Sequence, residues 1–163
     1  AYLAGFDWAL KNGYEFIVEM DADFSHRPID LKKILQEGER GAEVVVGSRY
    51  VDGGGTQNWG LGRKILSRGG GIYSRMILGY PLQDWTGGFN GWTKKVLKDI
   101  ELEKVKSEGY SFQIELKYRA LKKGFKVSEI PILFEERRVG QSKMSSKIVI
   151  EAFLRVWKLR FQI

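Results

Sequence analysis

The chain has 163 residues, 43% of them hydrophobic and 13% aromatic, which supports one folded domain with a real core and excludes a disordered chain. Its 27 Lys and Arg against 20 Asp and Glu leave a formal charge of +7, a balance suited to an anionic partner such as nucleic acid, a phosphorylated ligand or a membrane surface. The absence of cysteine excludes a disulfide framework and a cysteine-based zinc site. No apolar run approaches the roughly 20 residues that span a bilayer. The opening stretch, AYLAGFDWALKNG, lacks the charged leader and cleavage site of a signal peptide.

In chain order, Leu3, Phe6 and Leu10 recur at helical spacing and predict a helix over residues 2–12, stopped at Gly13. Residues 14–20 are a short apolar run and read as a buried strand. Pro28 suits the first turn of a second helix that ends before Gly41. AEVVVGSRY is continuous and β-branched, a second buried strand. This alternation predicts an α/β layered fold with a parallel sheet. A long Gly-rich loop, VDGGGTQNWGLG, follows, of a length usually tied to function or mobility. A helical pattern then resumes, weakened by Gly69, Gly70 and Gly71. QDWTGGFNGW reads as a strand or strand edge with a tight turn. Two further helices are expected near 94–100 and 111–123. Residues 125–134 read as a strand in which Pro131 favours an edge or a bulge.

The last segment, 144–163, reads as a helix with one narrow polar stripe: Lys147, Glu151, Arg155, Lys158 and Gln162. Lys147–Glu151 and Glu151–Arg155 are i,i+4 pairs of opposite charge. So wide an apolar face packs on the core, on another domain or on a membrane interface.

Asp21 and Asp23 stand two apart in VEMDADFSHRP, where a strand should end. Two carboxylates on the same side of an extended segment make a hard-oxygen pair suited to Mg²⁺ or Mn²⁺. A pair of this kind, taken alone, reads rather as a solvated turn. Arg49 ends the VVVGSRY strand, Arg63 follows the Gly-rich loop, and Arg137, Arg138 and Lys143 lie in FEERRVGQSKMS. Singly these are surface cations; together with a metal-binding pair they describe a site for a substrate with more than one phosphate. Asp84 in DWTGGFNGW has three readings, a base, an orienting group or a turn cap. His26, the only histidine, reads as a structural hydrogen-bonding side chain near a helix start. There is no Ser-His-Asp arrangement and no phosphate-binding G-x-x-x-x-G-K-[ST] loop. No recognisable nucleic-acid-binding module is present either.

The ordered set VEMDADFSHRP, VVVGSRYVDGGG, WGLGRKILSRGG, DWTGGFNGW, EGYSFQIEL and FEERRVGQSKMS closely resembles the polyprenol (dolichol) phosphate mannosyltransferases, inverting glycosyltransferases of family 2 with the GT-A fold. The resemblance covers nearly the whole chain. It implies a Rossmann-like nucleotide-diphospho-sugar transferase fold, a mostly parallel sheet flanked by helices, in a single catalytic domain. It implies transfer of mannose from GDP-mannose to a polyprenyl or dolichyl phosphate at the cytoplasmic face of a membrane, with no nucleic-acid partner. Asp21 and Asp23, with Ser25, would hold the metal. Ala22 would approach the nucleotide sugar through its backbone. Arg49 and Arg63 would lie near donor or acceptor phosphates. Arg137 and Lys143 belong to a loop that closes over the substrates, and Asp84 is a candidate catalytic residue. Many relatives carry a basic residue where Asn90 stands, which removes any phosphate contact expected there. The strand and loop that hold base and ribose in the family have no counterpart before Ala1, so the chain reads as an N-terminally truncated domain, with membrane anchoring left to a further domain or subunit. Two other readings fit the same residues: glucose transfer from UDP-glucose to the same type of lipid, and a catalytically silent binding subunit.

Overall fold

The structure is a computed structural model that describes residues 1–136 and 146–162, the latter by backbone alone up to residue 152. Among the described residues six α-helices and six strands follow in the order α1 (Tyr2–Lys11), β1 (Phe16–Glu19), α2 (Pro28–Glu39), β2 (Val44–Ser48), β3 (Gly55–Gln57), α3 (Leu61–Leu78), β4 (Asn90–Thr93), α4 (Lys94–Asp99), α5 (Gly109–Lys122), β5 (Val127–Pro131), β6 (Leu133–Glu135) and α6 (Ser146–Gln162). The main sheet has the order β1-β4-β2-β5, and β3 pairs with β6 in a small second sheet.

Strands β1, β2 and β5 all point the same way, as the α/β alternation predicts. The sheet is nonetheless mixed, because β4 runs antiparallel between β1 and β2, and the direct parallel pair within it is β2 with β5. Burial explains the continuous valine run. Val44 and Val46 face a large core with Trp92, Leu97, Leu116 and Tyr118, while Val45 faces a smaller one with Ile34, Phe89 and Ile130. A strand covered on both sides has no polar face to alternate. Helix α2 closes the smaller core, and α1, α3, α4, α5 and α6 close the larger one.

Two local expectations change, and the helix expected across the glycines holds. The Gly-rich stretch is not all loop, since residues 55–57 form β3 and pair in parallel with β6. The triple glycine does not break α3, which runs unbroken from Leu61 to Leu78 and stops where Gly79 takes a φ of 78°. The strand expected over 125–134 divides at Ile132 into β5 and β6. Pro131 does lie on an edge strand, where its missing N–H costs nothing.

The site's frame follows from strand direction. Because β4 is antiparallel, its first residue, Asn90, pairs with Glu19 at the end of β1 and with Val46 of β2. The turn that precedes β4 therefore lands at the edge where β1 and β2 finish. Gly91 allows this packing: a Cβ there would stand 2.5 Å from Phe16 Cζ and 2.7 Å from Ile34 Cγ2. Gly91→Ala is expected to cost about 1–3 kcal/mol through overpacking, seen as a thermal midpoint lower by roughly 2–4 °C per kcal/mol in a melt followed by circular dichroism.

Candidate active site

Asp21 and Asp23 follow β1 directly, in a tight turn. Asp23 Oδ1 accepts from the Ser25 N–H at 3.1 Å and from Ser25 Oγ at 2.5 Å, so the carboxylate closes an Asx turn of its own. Phe24, between them, takes a φ of 63°, a conformation that a bulky residue adopts only when its surroundings hold it there. Ser25 O accepts from the Glu135 N–H at 3.0 Å, and His26 bridges to Phe134, which ties the turn to β6. Asp21 is oriented from two sides. Tyr2 OH donates to its Oδ1 at 2.5 Å, and its N–H donates to His26 Nδ1 at 3.3 Å.

His26 has the structural role expected of it. Its ring lies between Phe89 and Phe134, and burial holds its pKa below the ordinary histidine value. Ser25 is also fully buried with its hydroxyl hydrogen committed to Asp23. In place of the metal ligand expected at Ser25, this geometry gives it the task of bracing Asp23. Among the described residues no group of three His, Cys, Asp or Glu side chains is placed to enclose a metal. A metal held here would take two carboxylates, Asp21 and Asp23, with the rest of its shell left to water and substrate oxygens. That is the arrangement Mg²⁺ favours, and hard oxygens suit Mn²⁺ equally.

Arg49 and Asp84 form the buried centre of the site. Arg49 Nε donates to Asp84 Oδ2 and Nη2 to Asp84 Oδ1, each at 2.7 Å, and Nη2 also donates to Thr86 Oγ1 at 2.9 Å. The Arg49 N–H adds a bond to Oδ2 at 3.0 Å, and the Gly87 N–H one to Oδ1 at 2.9 Å. Burial alone would raise the Asp84 carboxyl, but the Arg49 charge and these bonds outweigh it and hold its pKa at about 2. So saturated and so weakly basic a carboxylate is no proton acceptor. Of the three roles open to Asp84, the orienting one matches, and the catalytic assignment is corrected to that. Arg49 spends three of its five donors on this network and still lines the neighbouring cavity. Arg63 reaches the same cavity, its guanidinium 4.0 Å above the Trp59 ring and paired with Glu136.

The cavity holds about 130 Å³. Its lining combines the charged Asp21, Arg49 and Arg63 with the apolar Leu66, Ile114 and Val156. Ala22 is exposed beside the carboxylates. Asn90 points away from the cavity, into the protein: its amide donates to Glu19 at 2.6 Å and to the Gly87 carbonyl at 3.1 Å. Arg137, Arg138 and Lys143 lie outside the described residues, as do the side chains of Lys147 and Glu151.

Tyr2, Glu19, Gln113 and Lys117 support the site without having been singled out in the sequence. Glu19 is buried and accepts from Asn90, Gln113 and Trp92, and burial lifts its pKa to about 7. The available signal was spacing: Glu19 shares strand parity with Asp21, and Gln113 and Lys117 are four apart on one helix.

Residues 1–101 match the family model described as glycosyl transferase family 2. The chain belongs to that family. Within it, the polyprenol monophosphomannose synthase of Mycolicibacterium smegmatis is 48% identical over 162 residues, covering 98% of this chain and 61% of that protein. The undecaprenyl-phosphate mannosyltransferase of Micrococcus luteus is 45% identical over 156 residues, covering 96% of this chain and 64% of that protein. The chain thus spans about three fifths of the length of these curated relatives. Among solved structures, glucosyl-3-phosphoglycerate synthase from Mycobacterium tuberculosis, in complex with Mn²⁺, UDP-glucose and phosphoglyceric acid, superposes with a TM-score of 0.62 at 13% identity, over 93% of this chain and 52% of that one. Its complex with phosphoglyceric acid alone gives 0.61 at 14% identity, over 92% and 52%. The fold of this family 2 chain is GT-A.

The Asp84 carboxylate titrates near 3.8 when unfolded and about 2 when folded. Its contribution to stability is therefore complete above pH 3.8 and lost as the pH falls through about 2. Asp84→Asn leaves the Arg49 charge buried and unpaired and is expected to cost about 3–5 kcal/mol at neutral pH. Denaturant melts from pH 2 to 7 should show that deficit at neutral pH and its narrowing in acid.

Proposed function

We propose that this chain is the catalytic part of a metal-dependent, inverting mannosyltransferase that moves mannose from GDP-mannose to a polyprenyl phosphate at a membrane surface. One observation carries the reading: the Asp21 carboxylate and two arginines share one cavity with apolar residues of α3, α5 and α6. A charged head joined to an apolar chain fits such a passage, and the mannosyltransferases similar to this chain are named for polyprenol and undecaprenyl-phosphate chemistry.

Asp21 and Asp23 would hold Mg²⁺ or Mn²⁺, which supplies positive charge against the diphosphate leaving group when bound. Ser25, Tyr2 and His26 keep the two carboxylates in place. Arg63 offers its charge to phosphate oxygens from the cavity wall, with Arg49 beside it. Arg137 and Lys143, on the segment that follows β6, are assigned the closing contacts to both substrates. The acceptor phosphate attacks the anomeric carbon opposite the departing nucleoside diphosphate. It is anionic near neutral pH, so no side chain need remove a proton, and Asp84 is released from that task. Catalysis then rests on positioning and electrostatic stabilisation.

The membrane surface is the partner that the outer faces of α3 and α6 fit. Leu61, Ile65, Ile72 and Met76 are exposed along α3, and Leu154, Trp157 and Phe161 along α6. The two helices are joined where Tyr73 packs on Phe153. Val156 and Leu159 take the core side of α6, and Arg155 turns inward to Ser107 and Glu115. Part of the polar stripe thus faces protein, which leaves apolar side chains outward. Exposed Lys64, Arg68, Arg75, Lys158 and Arg160 flank them, as in helices that lie in an anionic interface. Among the described residues, no helix is long and apolar enough to cross a membrane.

With the full-length protein, radiolabelled GDP-mannose, undecaprenyl phosphate and Mg²⁺ or Mn²⁺, a lipid-linked mannosyl phosphate of inverted configuration is expected. Transfer from UDP-glucose in preference would replace the donor assignment. Asp23→Ala should lower turnover by roughly 10²–10³-fold, the scale for losing one charge-stabilising group; undiminished turnover would remove Asp23 from the site. In flotation with phosphatidylglycerol vesicles, Trp157→Glu combined with Phe161→Glu should leave most of this chain unbound while the unaltered chain floats.

A further inference from the structure

Lys117, on α5, is fully buried, an expensive place for an ammonium group. Its Nζ donates to three backbone carbonyls of one turn: Asp84 at 3.0 Å, Trp85 at 3.3 Å and Gly87 at 2.8 Å. An ammonium has three donors, and this turn takes all of them. Burial pulls the lysine down to about 8, against the neighbouring charges of Asp84 and Glu19.

The consequence lies on the other side of the turn. Among the described residues no peptide bond is cis, and in a trans peptide the carbonyl of one residue and the N–H of the next point in opposite directions. Carbonyls drawn inward to Lys117 therefore turn the N–H groups of Trp85, Thr86 and Gly88 outward. Thr86, Gly87 and Gly88 line the cavity with Asp21, and Lys117 lies behind them. The Gly87 N–H is already spent on Asp84. Among the described residues no acceptor is bonded to the N–H of Thr86 or of Gly88. Gly88 is close to the carboxylate pair, since a Cβ built on it would stand 3.8 Å from Asp21 Oδ1. The missing side chain lets an oxygen approach the amide directly.

We propose that Lys117 is a positioning residue for glycosyl transfer, which gathers the carbonyls of Asp84, Trp85 and Gly87 and so aims the N–H groups of Thr86 and Gly88 at the diphosphate oxygens of the donor. The inference rests on the reading of Asp21 and Asp23 as the diphosphate site. Backbone donors fixed in advance stabilise developing negative charge without reorganising at the moment of reaction. Lys117 never touches substrate; it acts through the peptide planes.

The test uses the full-length protein and Lys117→Met, which keeps length and apolar volume and removes the charge. Single-turnover mannosyl transfer, normalised to active sites, is expected to slow by about tenfold or more, and GDP with Mg²⁺ should bind more weakly. KM for undecaprenyl phosphate should hardly move. A role limited to stability would lower the melting temperature and the fraction of active enzyme but leave both the normalised rate and GDP affinity intact, and that result overturns the proposal. Should the variant not fold, amide NMR of the unaltered protein decides. On titration with GDP and Mg²⁺ the Thr86 and Gly88 resonances are expected to shift; their standing still while Ala22 moves overturns it. An unaltered protein that binds GDP and shifts both amides but transfers no sugar would support the contact of these amides with the diphosphate and defeat the transferase reading.

Discussion

The buried pair of Arg49 and Asp84 joins pieces that are far apart in the chain. Arg49 directly follows β2, and Asp84 lies in the turn before β4, 35 residues later. Two side-chain bonds of 2.7 Å, with main-chain N–H groups on the same carboxylate, leave the turn little freedom. A pair so enclosed contributes little net stability over an apolar replacement, but losing either partner is costly. Its value lies in register: it holds the Thr86–Gly87–Gly88 backbone against the sheet edge where Asp21 and Asp23 emerge.

Around that pair the site divides into a rigid floor and an amphipathic passage. The floor is polar and saturated. Lys117 takes carbonyls from below, while Glu19, Asn90 and Gln113 bind one another beneath the end of β1. The passage brings charged Asp21, Arg49 and Arg63 together with apolar Leu66, Ile114 and Val156. The same helices that supply its apolar lining expose Ile65, Met76, Leu154 and Trp157 outward.

Much of the fold was legible because its signals are local. Helical recurrence of Leu3, Phe6 and Leu10 and the unbroken Val44–Val45–Val46 run each report burial directly. The direction of β4 was not legible. NGW is apolar enough for a strand, but pairing direction is set by neighbours distant in sequence. The same limit hid β3, since Gly55–Gln57 has no strand pattern of its own and exists through its pairing with β6. In the site, the carboxylate pair and the arginines stood out as chemical types. The dependence of Arg49 on Asp84, and of Asp23 on Ser25, did not, because hydrogen-bond commitment is a matter of distance.

By itself, the sequence determined the α/β class, the acidic turn after the first strand, the cationic set around it and the family resemblance, all of which rest on residue type and order. Only the tertiary structure decided what each group is free to do. It made Asp84 an orienting anion whose pKa is held down at about 2, turned Asn90 inward, braced Asp23 with Ser25 and placed a lysine beneath a glycine turn. The physical reason is common to all of these. A side chain's chemistry follows from its burial and its partners, and both are settled when strands and helices separated by tens of residues come together.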